Sequence, residues 1–216
     1  MMSPTRYILF DAANTLIHKP LLWEKFHGQL KKYGFDVPVE LLKKNHKLLS
    51  ESIAFPDRTS DDFYRKFNSE VLFSLGIIPT SQMLEGIFES CSYLKWEQFP
   101  DTDVLKSLTL PLGVLSNFNS GLEDQVGKIF GGIFSNIIGS ENHGVAKPDP
   151  RFYELALSKT GFKAEEILYV GDSVKLDMEP AQKLGFRAIL IDRDNNFPYF
   201  KGRMDSLKQI PEFIIQ

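Results

Sequence analysis

The chain has 216 residues, enough for one ordinary domain or for a core domain that carries an insertion. Apolar residues make up 43% and charged residues 25%, which is typical of a folded globular protein and disfavours disorder, collagen-like repeats and coiled coils. The formal net charge of -3 lacks the basic excess of a protein that tracks a nucleic acid backbone, so nucleic acid is not expected as a partner.

Cysteine content and the amino-terminal residues indicate the compartment. Cys91 is the only cysteine, so this chain has neither an internal disulfide nor a cysteine-based zinc site, and a reducing compartment fits best. The apolar cluster at residues 7–10 is interrupted by Asp11 long before it reaches the length of a signal peptide or a membrane span. We therefore expect a cytoplasmic protein that does not bind membranes.

Short apolar runs bounded by turn residues predict five strands, at residues 6–10, 112–115, 136–138, 167–170 and 188–191. These runs show no polar alternation, which is typical of strands that are buried on both faces. Amphipathic stretches at 150–159 and 176–184 predict helices between the later strands. The alternation of strand and helix predicts an α/β fold with a parallel sheet.

Residues 18–98 follow a different pattern, because their large apolar side chains recur at helical spacing. Pro38 and Pro79 mark boundaries between helices, and the segment 59–62 has the composition of a capped helix start. About 80 residues of helix are therefore predicted to be inserted after the first strand.

Polar residues at the ends of the first two predicted core strands suggest a site. Asp11 follows the first strand, at the carboxyl end where open parallel sheets bind ligands. Ser116 and Asn117 end the second strand, and a hydroxyl followed by backbone N–H groups is suited to hold an anion. Each of these features alone is also common in ordinary turns.

Later motifs add charge of both signs. Lys147 stands before a proline just ahead of a predicted helix, where its ammonium would neutralise a phosphate as a point charge. Asp172 and Asp177 follow the strand at 167–170, and their carboxylates are the hard oxygen donors that suit Mg²⁺. The coincidence of four such motifs, in this order and each near a strand end, makes a shared site the better interpretation.

These motifs together resemble those of the haloacid dehalogenase superfamily. The segments 115–118 and 147–151 are especially similar to its subgroup of haloacid dehalogenase-like hydrolase domain-containing proteins. The resemblance implies a Rossmann-like core domain at 1–17 and 99–216, with an all-helical C1-type cap domain at 18–98.

The resemblance also implies the roles of individual residues. Asp11 would attack phosphorus and form an aspartyl-phosphate, while Ser116 and Lys147 would bind the phosphoryl group of a small phosphorylated metabolite. Further candidates for substrate contact are Ala12, Ala13, Asn117 and, in the least periodic part of the cap at 51–60, Arg58.

A magnesium ion is the cofactor that the resemblance implies. Its ligands would be the carboxylates of Asp11 and Asp172 and the backbone carbonyl of Ala13, with Asp177 supporting them. The ion would reduce the repulsion between the anionic substrate and these carboxylates. Thr15 resembles the threonine that supports the nucleophile loop in this superfamily.

The sequence departs from the phosphatase pattern at Ala13, where a second aspartate usually stands two residues after the nucleophile. That aspartate is the general acid and base, a function worth about 10²- to 10⁴-fold in rate. Turnover is therefore expected to be slow or restricted to leaving groups that need no proton. His18 is a conceivable replacement acid, but an ordinary polar residue at the entry to the cap is the simpler interpretation.

The sequence is compatible with three functions. The first is a slow or specialised Mg²⁺-dependent phosphohydrolase, favoured by Asp172 and Asp177. The second is a binding protein that keeps the pocket but has lost turnover, favoured by Ala13. The third is a dehalogenase or a phosphonatase, whose leaving groups need no acid at that position. Because a haloacid dehalogenase needs no Mg²⁺ site, the paired carboxylates count against the third.

Overall fold

A six-stranded parallel sheet forms the centre of one of the two compact units into which the chain divides. In the computed structural model, which describes residues 3–56 and 58–215, this core unit comprises Met1–His18 and Glu97–Gln216, and the helical unit comprises Lys19–Trp96. The predicted boundaries lie within two residues of these, although Met1, Met2 and Gln216 fall outside the described residues. That the helical unit serves as a cap remains a prediction.

The strands of the core sheet follow the order β5-β4-β1-β6-β7-β8, and all neighbours are parallel. Their bounds are β1 Tyr7–Phe10, β4 Leu112–Ser116, β5 Phe134–Gly139, β6 Ile167–Gly171, β7 Arg187–Ile191 and β8 Arg203–Met204. The predicted α/β class is thereby confirmed, and each predicted strand is present.

Burial explains why the strands lack alternation. Every residue of β1, β4 and β6 is buried, as expected for central strands that are covered by helices on both faces. The register pairs Leu9 with Gly113 on one side and with Tyr169 on the other. The carboxyl ends of these three strands therefore lie side by side, at the edge where the candidate site forms.

The described residues of the core unit also form four α-helices. They are α5 Leu122–Phe130, α6 Pro150–Thr160, α7 Glu179–Lys183 and α8 Ile210–Phe213. The single helix predicted at 176–184 is wrong in detail, because a turn of π-helix at Val174–Met178 precedes α7. In that turn the amides of Asp177 and Met178 both donate to the carbonyl of Ser173, at 3.1 Å each.

The described residues of the helical unit form four helices, consistent with the apolar spacing, which predicts helix but not their number: α1 Leu22–Lys32, α2 Val39–Ser50, α3 Asp61–Ser74 and α4 Ser81–Cys91. Its core is a cluster of side chains from all four, including Phe26, Leu42, Phe67 and Ile87. The predicted start of α3 is confirmed, because Ser60 Oγ accepts the Phe63 amide at 3.1 Å.

A short antiparallel ribbon forms where the chain leaves and re-enters the core unit. It pairs β2 (Ile17–His18) with β3 (Glu97–Gln98). The predicted all-helical segment 18–98 therefore includes strand residues at its two ends, because strands of two residues are too short to produce a sequence pattern. Among the described residues, no helix has the length and apolar character needed to cross a membrane.

The close approach of β4 to Tyr7 predicts a specific sensitivity. A methyl group at Gly113 would lie 2.3 Å from the phenol oxygen of Tyr7, which donates to Asn136 Oδ1 at 2.8 Å. We expect Gly113→Ala to lower the free energy of unfolding by about 1–3 kcal/mol, as overpacking typically does. Urea denaturation followed by circular dichroism measures it.

The matched control is Gly127→Ala in α5, where an added methyl group has nothing within 4 Å. Because alanine favours helix over glycine by about 0.8–1.0 kcal/mol, this control should be neutral or stabilising. A Gly113→Ala protein as stable as the wild type would contradict the packing described.

Candidate active site

The loop that follows β1 holds Asp11 in a fixed, buried position. The residue is 5% exposed, and its amide donates to the carbonyl of Val170 at 2.8 Å. The Ala12 carbonyl accepts the amides of Leu16 and Ile17 at 2.8 and 3.0 Å, which closes the loop on itself. The loop thus presents a carboxylate at the carboxyl edge of the sheet, where the sequence predicts it.

Three donors contact the two oxygens of Asp11. Lys147 Nζ and Ser116 Oγ both donate to Oδ1, at 2.5 and 3.0 Å, and Thr15 Oγ1 lies 3.4 Å from Oδ2. Asp11, Lys147, Ser116 and Thr15 are all buried, so these contacts are little screened by water. The structure therefore brings the three predicted catalytic residues together.

Lys147 is placed through its main chain. Asn117 Oδ1 accepts the Lys147 amide at 2.7 Å, and Asn117 Nδ2 donates to the Lys147 carbonyl at 2.9 Å. Two residues later, the Asp149 side chain accepts the amide of Arg151 and caps α6. The side chain of Asn117, predicted as a substrate contact, is thus used to hold the loop that carries Lys147.

Asp177 is the second carboxylate that Lys147 contacts, at 2.7 Å between Nζ and Oδ1. Tyr169 donates to the same oxygen at 2.8 Å, and the amide of Ser173 donates to Oδ2 at 2.9 Å. The approach is close, since a Cβ at Gly171 would lie 2.4 Å from the carboxyl carbon of Asp177. Glycine is therefore the residue that fits at the end of β6.

Tyr169 is a site residue that the sequence analysis misses, because it stands within an apolar run and looks like core. Its hydroxyl lies 2.8 Å from Asp177 Oδ1 and 3.5 Å from Lys147 Nζ. The sequence offers only one indication, which is that the hydroxyl of a buried tyrosine usually has a hydrogen-bond partner. Alternation along β6 places Tyr169 and Gly171 on one face, next to Asp177.

Three carboxylates meet at this edge of the sheet. One oxygen each from Asp11, Asp172 and Asp177 can be chosen so that all lie within 4.8 Å of one another. The ammonium of Lys147 contacts two of them, Asp11 and Asp177, at 2.5 and 2.7 Å. Closely spaced carboxylate oxygens are hard donors that fit a small divalent cation such as Mg²⁺.

Burial sets the ionisation of the central pair. It raises the pKa of Asp11 to about 6, with Lys147 acting in the opposite direction and the carboxylates of Asp177 and Asp172 raising it further. For Lys147, burial alone would lower the pKa, but Asp11 and Asp177 raise it above the ordinary value. The ammonium therefore stays protonated while Asp11 titrates close to neutrality.

The remaining predicted residues lie outside these direct contacts. Ala12 is buried, and Ala13 is half-buried and forms an isolated bridge with Ile17. The ring of His18 stacks on Phe99 with centroids 4.0 Å apart. Arg58 is exposed in the helical unit, so a substrate contact by it remains a prediction.

The raised pKa of Asp11 predicts that its charge opposes folding. The carboxylate ionises near pH 6 in the folded chain and near its ordinary value of 3.8 when unfolded. Folding therefore favours the protonated form, and stability is lost as the pH rises from about 4 to about 6. In EDTA, we expect Asp11→Asn to melt a few degrees above the wild type near neutral pH, with the difference vanishing near about pH 4.

Thermal unfolding across this pH range measures the effect. Asp124→Asn, which removes an exposed carboxylate from the first turn of α5, is the control and should not melt above the wild type near neutral pH, because an acidic residue there favours the helix. If Asp11→Asn melted below the wild type at neutral pH, the carboxylate would be a net source of stability and the interpretation would be wrong.

Comparison with known proteins identifies the family. The family model of haloacid dehalogenase-like hydrolases matches residues 5–185. The chain is 37% identical to haloacid dehalogenase-like hydrolase domain-containing protein 3 of Danio rerio, over 100% of this chain and 94% of that protein. It is also 37% identical to glyceraldehyde 3-phosphate phosphatase of Methanocaldococcus jannaschii, over 40% of this chain and 39% of that enzyme.

Solved structures share the fold as well. The L-2-haloacid dehalogenase of Xanthobacter autotrophicus superposes with a TM-score of 0.65 at 19% identity, over 97% of this chain and 98% of that one. The family match and the full-length similarity agree with the arrangement of strands and carboxylates. The chain belongs to the haloacid dehalogenase-like hydrolase family.

Proposed function

We propose that this hydrolase is a Mg²⁺-dependent phosphohydrolase that acts on small phosphorylated metabolites through an aspartyl-phosphate on Asp11. One observation carries the proposal: Lys147 and Ser116 converge on one oxygen of Asp11, at 2.5 and 3.0 Å, beside two further carboxylates. A dianionic phosphoryl group needs such donors, and the similar phosphatase of Methanocaldococcus jannaschii supports a phosphorylated substrate.

The protein groups have distinct tasks in the proposed reaction. A carboxylate oxygen of Asp11 forms a bond to phosphorus while the bond to the leaving group breaks, and the leaving group departs with the electron pair. Ser116 and Lys147 donate to the phosphoryl oxygens and stabilise the charge that moves onto them. Water then hydrolyses the aspartyl-phosphate, which releases phosphate and restores Asp11.

Magnesium fits the donor set of this site. Asp11 and Asp172, with the Ala13 carbonyl, would hold the ion, and it would shield the carboxylates from the phosphate and stabilise charge during transfer. Asp177 would support this arrangement, because both of its oxygens already accept from Lys147, Tyr169 or Ser173.

The alanine at position 13 limits the leaving groups that the enzyme can release. In the loop from Asp11 to Leu16, Asp11 is the only titratable residue, so the loop offers no acid to protonate an alkoxide. Substrates whose leaving groups depart without a proton, such as acyl or aryl phosphates, are therefore favoured. Location in the cytoplasm stays a prediction from the single cysteine, Cys91.

A binding protein without turnover is the second candidate, and Ala13 favours it. A dehalogenase is the third, because a carboxylate nucleophile displacing a halide would need neither a general acid nor a cation. The clustering of Asp172 and Asp177 with Asp11 favours the phosphohydrolase over the dehalogenase, because a divalent cation needs several oxygen ligands.

Activity and metal binding, measured together, test the proposal. Wild-type protein should hydrolyse an aryl phosphate faster than an alkyl phosphate, only with Mg²⁺, and Mg²⁺ should raise its melting temperature. Asp172→Asn should lose both responses, because it removes one of few carboxylate ligands. Asp194→Asn, which follows β7 outside the carboxylate cluster, is the control.

Halide release from 2-haloacids without Mg²⁺ would instead establish the dehalogenase. Stabilisation by Mg²⁺ and phosphate analogues without any product would establish the binding protein.

Restoring the acid should change the preference for leaving groups. Ala13→Asp adds a carboxylate two residues after Asp11, where it can protonate a departing alkoxide and then activate water. We expect alkyl phosphate hydrolysis to rise by about 10-fold or more and aryl phosphate hydrolysis to rise less. Ala13→Asn, which adds similar volume without an acid, is the control. A fall in alkyl phosphate turnover with Mg²⁺ binding preserved would mean that another residue already supplies the proton.

A further inference from the structure

Arg193, two residues after β7, contacts the main chain of the loop that carries Asp11. Its Nη1 donates to the Asn14 carbonyl at 3.0 Å, and its Nη2 donates to the Thr15 carbonyl at 2.9 Å. Thr15 in turn places its hydroxyl 3.4 Å from Asp11 Oδ2. The guanidinium therefore reaches the proposed nucleophile through one intervening residue, Thr15. It binds the backbone of the loop that positions Asp11.

The same guanidinium is fixed from its other side. Nε and Nη2 donate to the two oxygens of Asp101 at 3.0 and 2.9 Å, and the Leu207 amide donates to Asp101 Oδ2 at 3.0 Å. The ring of Phe99 lies 3.8 Å from the guanidinium carbon. Asp101 and Phe99 belong to the segment that follows β3, where the chain re-enters the core unit.

Phe99 also joins this arrangement to the ribbon of β2 and β3. Its amide donates to the carbonyl of Leu16 at 3.0 Å, and its ring stacks on His18 of β2. One guanidinium thus connects the nucleophile loop, the returning chain and the carboxyl terminus of β7.

The chemistry of these contacts requires arginine. Three nitrogens in one plane donate to four acceptors, namely two carbonyls and the two oxygens of Asp101. The face of the same plane stacks on the ring of Phe99. Lysine can satisfy neither requirement fully. The side chains of Arg193 and Asp101 are only 19% and 13% exposed, and Thr15 is buried. Water therefore cannot readily replace the donor at the Thr15 carbonyl, whereas Asn14 is exposed. A largely buried ion pair such as Arg193–Asp101 often adds little to the stability of the fold. We therefore look for its role in the geometry that it imposes on the loop.

We infer that Arg193 is a positioning residue that fixes the nucleophile loop, and with it Asp11, by clamping the Asn14 and Thr15 carbonyls against Asp101. The inference rests on the proposed function in one respect, since it is the attack by Asp11 that the clamp serves. Arg193 touches neither Asp11 nor the donors Ser116 and Lys147, so its loss changes the orientation of the nucleophile and leaves phosphate binding intact.

The test compares Arg193→Met with a matched control, Arg6→Met. Arg6, at the opposite end of β1, also pairs with a carboxylate, Glu166 at 3.0 Å, and its guanidinium carbon lies 5.2 Å from the centre of the Phe162 ring. Its side chain is 58% exposed, so this control removes a similar set of contacts at the surface. Two readouts are taken well below the melting temperature: kcat and KM for an aryl phosphate with Mg²⁺, and hydrogen exchange of the loop amides of Leu16 and Ile17.

In Arg193→Met we expect kcat to fall by about 10²-fold with little change in KM, because a misplaced nucleophile impairs attack more than binding. The two loop amides should exchange at least about 10-fold faster, as local opening becomes easier. Arg6→Met should leave both readouts at wild-type values. Retention of kcat and of amide protection in Arg193→Met would overturn the inference.

Arg193→Lys keeps the charge and decides the matter if the methionine variant does not fold. It should show an intermediate loss of kcat and intermediate protection of the loop, and wild-type values in both would overturn the inference. Failure of the proposed function is distinguishable, because wild-type protein would then hydrolyse no phosphate. Amide exchange alone would in that case decide whether Arg193 fixes the loop.

Discussion

The ammonium of Lys147 is the charge on which the rest of the site depends. It lies between Asp11 and Asp177, 2.5 and 2.7 Å from their oxygens, and all three side chains are buried. Carboxylates that share a buried site repel each other and would take up protons, unless a cation stands between them. Lys147 therefore allows both carboxylates to lie in one buried site.

The fold supplies each member of this arrangement from a different strand end. Asp11 comes from β1, Ser116 from β4 and Asp177 from the π-helical turn after β6, while Asn117 holds the main chain of Lys147. Such a site is not built for stability, since burial raises the pKa of Asp11 towards neutrality and so opposes its charge. Active sites commonly lower the stability of the fold in this way, because the groups that make them reactive are unfavourable to bury.

Most of the site could be predicted from the sequence, because the chemistry lies at the ends of buried strands. Asp11, Ser116 and Asp172 directly follow or end apolar runs, and parallel strands bring such ends to one edge. Tyr169 could not be recognised in this way, since an aromatic residue within an apolar run looks like core. Arg193 was equally hidden, because a charged residue after a strand is an ordinary feature of a loop.

Long-range contacts account for features that the sequence does not show. Asn117 is predicted to contact substrate, and its side chain in addition pairs with the main chain of Lys147, thirty residues away in sequence. The helix at 176–184 was expected to be continuous, yet the turn before it is wound more loosely and directs Asp177 towards Lys147 and Tyr169. Neither contact leaves a trace in local periodicity, which reports burial and not the partner of a polar group.

The central claim is that the carboxylate of Asp11 carries the phosphoryl group during turnover. It is tested most directly by acid quenching the protein during hydrolysis of an aryl phosphate with Mg²⁺ and mapping the modified peptide by mass spectrometry. The account predicts one added phosphoryl group on Asp11 in the wild type and none in Asp11→Asn, which should also release no product. Continued product release by Asp11→Asn, or a phosphoryl group on another residue, would contradict it.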